Sequence, residues 1–285
     1  MNERKICLIG SYAKSGSNWA RMVLENYLAD GDAPVSIWSA SRVFNGIRRS
    51  DFEYRLKIPS WLLDQEEIWE LLPAYFREAA RTTSEPLYYK IHNANTPNRE
   101  REALFSPKQV KGAVYLVRHP FDVAVSFSHH FGLSYDEAIR RLADREAVFT
   151  RTAKVVIDAL PARSLSWSEH VASWLDERRF PVELIRYEEL LREPLETFSR
   201  MVATLIGPVS EARLAKAIEF SSLAELRRQE REEGAAFNNH RAGSFFRKGA
   251  SGTWSGELSA GQTAAITRVH GEAMERLGYL DRVDC

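Results

Sequence analysis

The chain has 285 residues, enough for one large α/β domain with a substantial core. Lys plus Arg and Asp plus Glu each total 39, so the formal net charge is zero, which argues against a general nucleic-acid partner and leaves room for one local basic pocket. Two cysteines, Cys7 and Cys285, cannot build a disulfide framework, and no secretory signal or membrane-length apolar run is visible, so a cytoplasmic protein with no membrane partner is expected.

The first predicted element is a strand over residues 5–11, ending in Ile6-Cys7-Leu8-Ile9-Gly10. A turn with a lysine and a glycine follows, Tyr12-Ala13-Lys14-Ser15-Gly16-Ser17-Asn18, and then a helix over 19–29 that opens with Trp19. Strand, turn and helix in this order build an anion cradle: the first N–H groups of the helix point at the ligand and its dipole favours negative charge. Lys14 adds a full charge, and Ser15, Ser17 and Asn18 add side-chain donors. The nucleoside-triphosphatase loop is excluded, because it needs Gly-Lys-Ser/Thr, whereas Lys14 precedes Gly16 and no Gly-Lys-Ser/Thr occurs. Cys7 reads as a small core residue.

Residues 37–61 are rich in aromatics (Trp38, Phe44, Phe52, Tyr54, Trp61) but show no clear period. A helix is predicted over 65–81 and a second strand over 87–92, where Lys90 and His92 project from the same face at the strand's carboxyl end. The third strand, 113–117, runs into Arg118-His119-Pro120, with Pro120 suited to the first turn of a helix over 121–131. Arg118 and Ser126 converge there as a second phosphate site; taken alone, Arg118 equally suits an ion pair with Asp122. Helices over 135–147 and 166–178, a strand over 182–187, and helices over 195–206, 211–220 and 260–277 complete the pattern. Strands alternating with helices specify one domain, 1–285, with a central parallel sheet covered on both faces. The irregular segment 230–256 has the composition of a binding loop or lid, and Arg247-Lys248-Gly249 within it suits a phosphate, although by itself it equally reads as a solvated basic loop. No His-Glu-x-x-His or Cys-x-x-Cys pattern is present, so no metal site is expected.

In this order, these motifs resemble those of the cytosolic sulfotransferases that use 3′-phosphoadenosine 5′-phosphosulfate (PAPS). Tyr12 to Trp19 is similar to that family's Tyr-Pro-Lys-Ser-Gly-Thr-Thr-Trp phosphosulfate loop, and Lys90-Ile91-His92 to its Lys-Thr-His strand end. Asp122-Val123-Ala124-Val125-Ser126 matches residue for residue, and Tyr187-Glu188-Glu189 resembles its Tyr-Glu-Asp. Ser221-Ser222 falls where a Thr-Ser pair approaches the adenine, and Arg247-Lys248-Gly249 with Gly252 and Trp254 resembles Arg-Lys-Gly-x-x-Gly-Asp-Trp. Ala13 replaces the loop proline and Thr253 the aspartate before Trp254. The family's Lys-Thr-Val-Glu dimer pattern is not recognisable, so the oligomeric state stays open.

The resemblance implies sulfuryl transfer from PAPS, without a metal, to a hydroxyl, or else an amine, on a small molecule. His92 would be the general base and Lys14 the stabiliser of the leaving oxygen. Lys90 would assist, and Ser126 would restrain Lys14. Trp19 and Tyr187 would flank the adenine, while Arg118, Ser126, Arg247 and Lys248 would hold the 3′-phosphate. The aromatics of 37–61, with His129, His130, Phe131 and the loop 237–246, would line a pocket for an apolar or aromatic acceptor. Two alternatives share the strand–loop–helix plan: a P-loop small-molecule kinase and a non-catalytic nucleotide-binding protein.

Overall fold

A computed structural model describes residues 4–149, 158–232, 246 and 249–280. Within them, β1 (Ile6–Ser11), β2 (Val43–Asn45), β3 (Leu87–Ile91), β4 (Val110–Val117) and β7 (Val182–Arg186) form one sheet in the order β2-β3-β1-β4-β7. All four pairings are parallel, and a short antiparallel ribbon joins β5 (Val148–Phe149) to β6 (Ala162–Arg163). The helices are α1 (Ser17–Ala29), α2 (Arg49–Leu56), α3 (Gln65–Thr82), α4 (Pro120–Phe131), α5 (Tyr135–Ala143) and α6 (Trp167–Leu175). They continue with α7 (Tyr187–Arg192), α8 (Pro194–Leu205), α9 (Glu211–Glu219), α10 (Leu223–Glu232) and α11 (Ala260–Arg276).

Strand periodicity of two divides the core. Ile6, Leu8, Tyr89, Ile91, Ala113, Tyr115 and Val117 face α3, α4, α6 and α11 on one side. Cys7, Ile9, Tyr88, Val114 and Leu116 face α1, α8 and α9 on the other. Both faces are therefore buried, as the continuous apolar strands require. Cys7 belongs to this packing: burial pushes its thiol up to about 11, and Sγ lies 3.2 Å from the Leu205 carbonyl.

Four helices carry their own start signals. Asp64/Glu67, Ser134/Glu137, Ser166/Glu169 and Ser259/Gln262 form capping boxes at α3, α5, α6 and α11, each cap worth about 1 kcal/mol. The predicted helix 135–147 ends earlier, at Ala143, because Asp144 leaves the helix and its carboxylate accepts from the Glu146 N–H at 2.9 Å. The helix over 166–178 likewise ends at Leu175, and Tyr187 opens α7 instead of ending its strand. The aperiodic 37–61 segment hides β2 and α2: β2 is three residues long, and α2 buries only Phe52, too little for a visible period.

Three imidazoles, buried His170 and His270 and half-buried His119, are held neutral. Burial pushes His170 down to about 3, and His119 and His270 to about 4. The unfolded chain takes up these protons from about pH 6.5 downward while the fold resists them, so their contribution is fully present above pH 6.5 and is lost as pH falls toward the folded values. Thermal melts should show Tm falling from pH 6.5 to 4, by up to about 1.4 kcal/mol of stability per pH unit per histidine. A flat Tm over that range would contradict the neutral assignment.

Candidate active site

The parallel register brings three strand ends to one edge. Gly10 pairs with Ile91 and Ser11 with Leu116, so the loop after β1 lies between His92 and Arg118. Because β3 and β4 flank β1 on opposite sides, this is the topological switch point at which open sheets bind ligands.

The loop turns through left-handed backbone at Lys14 (φ 72°) and Gly16 (φ 90°). Gly16 is the residue before α1, and a Cβ there would meet Tyr187 Cδ2 at 2.5 Å. No side chain caps α1, and its ladder begins with Ala20 N–H to the Gly16 carbonyl at 3.1 Å, so the first N–H groups point out of the helix start. Among the described residues, the buried polar atoms without a protein partner include Ser15 Oγ, Asn18 Oδ1, Trp19 Nε1 and Arg118 Nε. Each costs about 1–3 kcal/mol unless a ligand or water meets it, and all four belong to this loop or its neighbour.

His92 is held in one tautomer. Its Nδ1 lies 2.8 Å from the Ser11 carbonyl oxygen, which only accepts, so Nδ1 carries the proton and Nε2 the lone pair. Ser11 Oγ is 3.2 Å from the same nitrogen. The His92 carbonyl accepts from His170 Nε2 at 3.2 Å, and His170 Nδ1 accepts from the Tyr115 hydroxyl at 2.9 Å. Burial, reinforced by the charge of Lys90 and by Lys14, keeps the His92 pKa well below 6.5. Lys90, itself buried, donates to Asn45 Oδ1 at 3.1 Å, its register partner on β2.

Arg118 makes the alternative ion pair with Asp122 and also reaches the anion loop. Its Nη2 is 3.8 Å from Asp122 and donates to the Ala250 carbonyl at 2.8 Å, while Nη1 donates to the Lys14 carbonyl at 3.4 Å. The guanidinium also lies 4.5 Å from the centroid of Tyr187, which the Val117–Arg186 pairing brings alongside. Asp122, 1 % exposed, accepts from Gly252 N–H at 2.7 Å, the Thr253 hydroxyl at 3.3 Å and Trp254 N–H at 3.3 Å. Thr253, which stands where the resembling motif has aspartate, thus spares Asp122 a second carboxylate.

The remaining expected residues are placed as follows. Trp19 meets Phe198 edge-on at 5.1 Å and Tyr187 at 6.5 Å. Ser126 is partly buried on α4. Ser221 is fully buried, its hydroxyl accepting from Asn26 at 3.0 Å, and Ser222 Oγ accepts from the Glu225 N–H at 3.3 Å. Gly249 has φ 60°, and a Cβ there would strike Leu223 Cδ2 at 2.5 Å. Arg247 and Lys248 lie outside the described residues, as does most of 237–246.

The expected acceptor wall is corrected in part. Phe52 is a core residue packed on Tyr75, and Phe44 stacks on Tyr89 at 4.9 Å. His129 bonds Glu257 at 2.7 Å instead. Beside His92 stands an aromatic not expected there: Phe149 lies 5.8 Å from its ring, 5.2 Å from Tyr12 and 5.8 Å from Phe127, which in turn meets the expected Phe131 at 5.2 Å. A further contact was not anticipated: Lys14 Nζ lies 3.2 Å from His130 Nδ1. The spacing of Asp122, Ser126 and His130, four residues apart on α4, is the signal that would have found it.

The sulfotransferase domain family matches residues 4–278, and the chain belongs to that family. It is a PAPS-dependent transferase, PAPS serving as co-substrate. Sulfotransferase 2B1 of Rattus norvegicus is 25% identical over 277 residues, covering 94% of this chain and 71% of that protein. The fold is shared with mouse sulfotransferase SULT7A1 complexed with PAP (TM-score 0.60, 19% identity, 97% of this chain and 88% of that one). It is shared equally with retinol dehydratase in complex with androsterone and the inactive cofactor PAP (TM-score 0.59, 18% identity, 99% and 82%). The kinase alternative is set aside by the family assignment. The uncapped α1 and the unpartnered donors Ser15 Oγ and Arg118 Nε fit anionic phosphate or phosphosulfate groups, which only accept.

Gly16→Ala should destabilise the protein by about 1–3 kcal/mol, since it combines an adverse φ with the Tyr187 contact. Thermal unfolding should register this as a Tm lower by several degrees, and isothermal titration should show weakened PAP binding. An unchanged Tm together with unchanged affinity would remove Gly16 from the cradle.

Proposed function

We propose that this chain transfers the sulfuryl group of PAPS to the hydroxyl of an apolar or aromatic small molecule, with His92 as general base and Lys14 beside the leaving oxygen. The observation that carries this reading is the fixed tautomer of His92: Nδ1–H is engaged by the Ser11 carbonyl, and the Nε2 lone pair is left to receive a proton.

In the reaction, the acceptor oxygen forms a bond to sulfur as the bond from sulfur to the phosphate oxygen breaks, and the hydroxyl proton passes to His92 Nε2. Negative charge collects on the departing phosphate of PAP, where Lys14 and the α1 N–H groups supply a preorganised positive field. Lys90 adds charge on the His92 side and helps keep that imidazole neutral. Arg118 and Ser126, with Arg247, Lys248 and Gly249, would hold the 3′-phosphate, and Trp19, Tyr187, Ser221 and Ser222 would surround the adenine.

The acceptor class is read from Phe131 and Phe149, the partly exposed rings of the cluster near His92, which are backed by the buried rings of Tyr12 and Phe127. Such a wall suits a ring-containing alcohol or phenol. Retinol dehydratase, of the same fold, is crystallised with androsterone, an apolar alcohol. Screening hydroxylated compounds with radiolabelled PAPS should favour steroid-like alcohols and phenols over sugars; a preference for glycans would overturn the acceptor class.

His92→Ala should lower kcat by on the order of 10²-fold or more, with PAP affinity nearly unchanged. Near-normal turnover would dismiss His92 as the base. Because the His92 pKa is held below 6.5, the base is already competent at pH 6.5, and the acid limb of the kcat/KM profile should lie below that pH. An acid limb at or above 6.5 would contradict this. Arg118→Ala should weaken PAP binding at least about tenfold by calorimetry, since it removes a charged donor and unties the Lys14 loop from Ala250.

A further inference from the structure

Lys14 is a long, flexible cation in a loop, and immobilising such a side chain costs about 2 kcal/mol of rotamer entropy. For it to meet a leaving oxygen repeatedly, something must hold it. The backbone is held first: φ is 72°, outside the usual range for a lysine, and the carbonyl accepts from Arg118 Nη1 at 3.4 Å. At the far end of the residue, Nζ stands 3.2 Å from His130 Nδ1. An ammonium group only donates, so Nδ1 is the acceptor and His130 is the Nε2–H tautomer. His130 lies in the last turn of α4, just before the left-handed Gly132 that ends the helix. The negative end of the α4 dipole therefore favours the same ammonium. The flanking contacts fix the imidazole: its ring meets Phe131 edge-on at 4.6 Å, and the preceding His129 bonds Glu257 at 2.7 Å.

We propose that His130 is a positioning residue for Lys14, holding the ammonium at the edge of the anion cradle through Nδ1. It takes the part expected of Ser126, which lies one turn earlier on the same face of α4. The proposal rests on the reading of Lys14 as the group beside the leaving oxygen, and the test separates the two.

The first readout needs no turnover. Spectra of the full chain labelled with 15N-histidine, with the His130 signals identified by their loss in His130→Asn, should show Nε2 protonated and Nδ1 as a hydrogen-bond acceptor. Lys14→Met should shift Nδ1 toward an unbonded nitrogen. A His130 ring protonated on Nδ1, or one unmoved by Lys14→Met, overturns the contact.

The second readout is kinetic, with PAPS and 2-naphthol, scoring PAP formation. His130→Leu should lower kcat about tenfold, with the KM for PAPS changed less than about threefold, and His130→Asn, which keeps an acceptor near the Nδ1 position, should recover most of the loss. In a Lys14→Met background, His130→Leu should cost nothing further, because it acts only through the lysine. An equal loss in both backgrounds, or none in either, overturns the proposal while leaving Lys14 in place. Wild-type kcat in Lys14→Met overturns the reading of Lys14, and the role of His130 falls with it.

Discussion

A single hydrogen bond, from His92 Nδ1 to the Ser11 carbonyl at 2.8 Å, joins the strand that leads into the anion loop to the strand that ends in the imidazole. It exists because β3 lies parallel to β1 with Gly10 opposite Ile91, which leaves the two strand ends level. A shift of one residue would exchange the two buried faces of β3 and turn Lys90 from the side of Tyr88 to the side of Tyr89 and Ile91. Everything at the site depends on that alignment, including the reach of Arg118 to the Lys14 carbonyl from the neighbouring strand end. The buried rows on both faces fix it, since each strand fills two separate cores with alternate residues.

Two histidines near the loop are held in opposite tautomers by opposite partners. A carbonyl oxygen compels His92 to carry its proton on Nδ1, and an ammonium group compels His130 to carry its proton on Nε2. Both assignments follow from which partner can only accept and which can only donate. Behind His92, the Tyr115 hydroxyl and His170 form a second line that ends on the His92 carbonyl, so the peptide and the ring are restrained separately. Paired polar lines of this kind inside a core restrict a site to one arrangement.

Much of this was legible in the chain. The strand–loop–helix at 6–29, the paired Lys90 and His92, and the Arg118 to Ser126 spacing named the family and most of the edge, because each depends on local periodicity and on the rule that ligands lie beyond strand ends. What escaped was nonlocal. Nothing in the spelling of Phe149 distinguishes it from a core residue, yet it reaches the His92 ring from a two-residue strand. Phe44 and Phe52 looked like pocket aromatics because 37–61 has no period, but each packs against a tyrosine of β3 or α3 that no short window contains. Asp122 was read as a local partner of Arg118, and the three donors it accepts come from residues about 130 positions away.

That last arrangement couples two segments far apart in the chain. The stretch 250–254 is tied by its backbone to two neighbouring side chains, Asp122 and Arg118, and the latter also grips the lysine loop. Lifting the stretch strands a carboxylate that water barely reaches, and loosens the arginine that braces the cradle. The stretch 250–254 and the lysine loop are therefore one mechanical unit, and neither shifts without loosening the arginine that joins them.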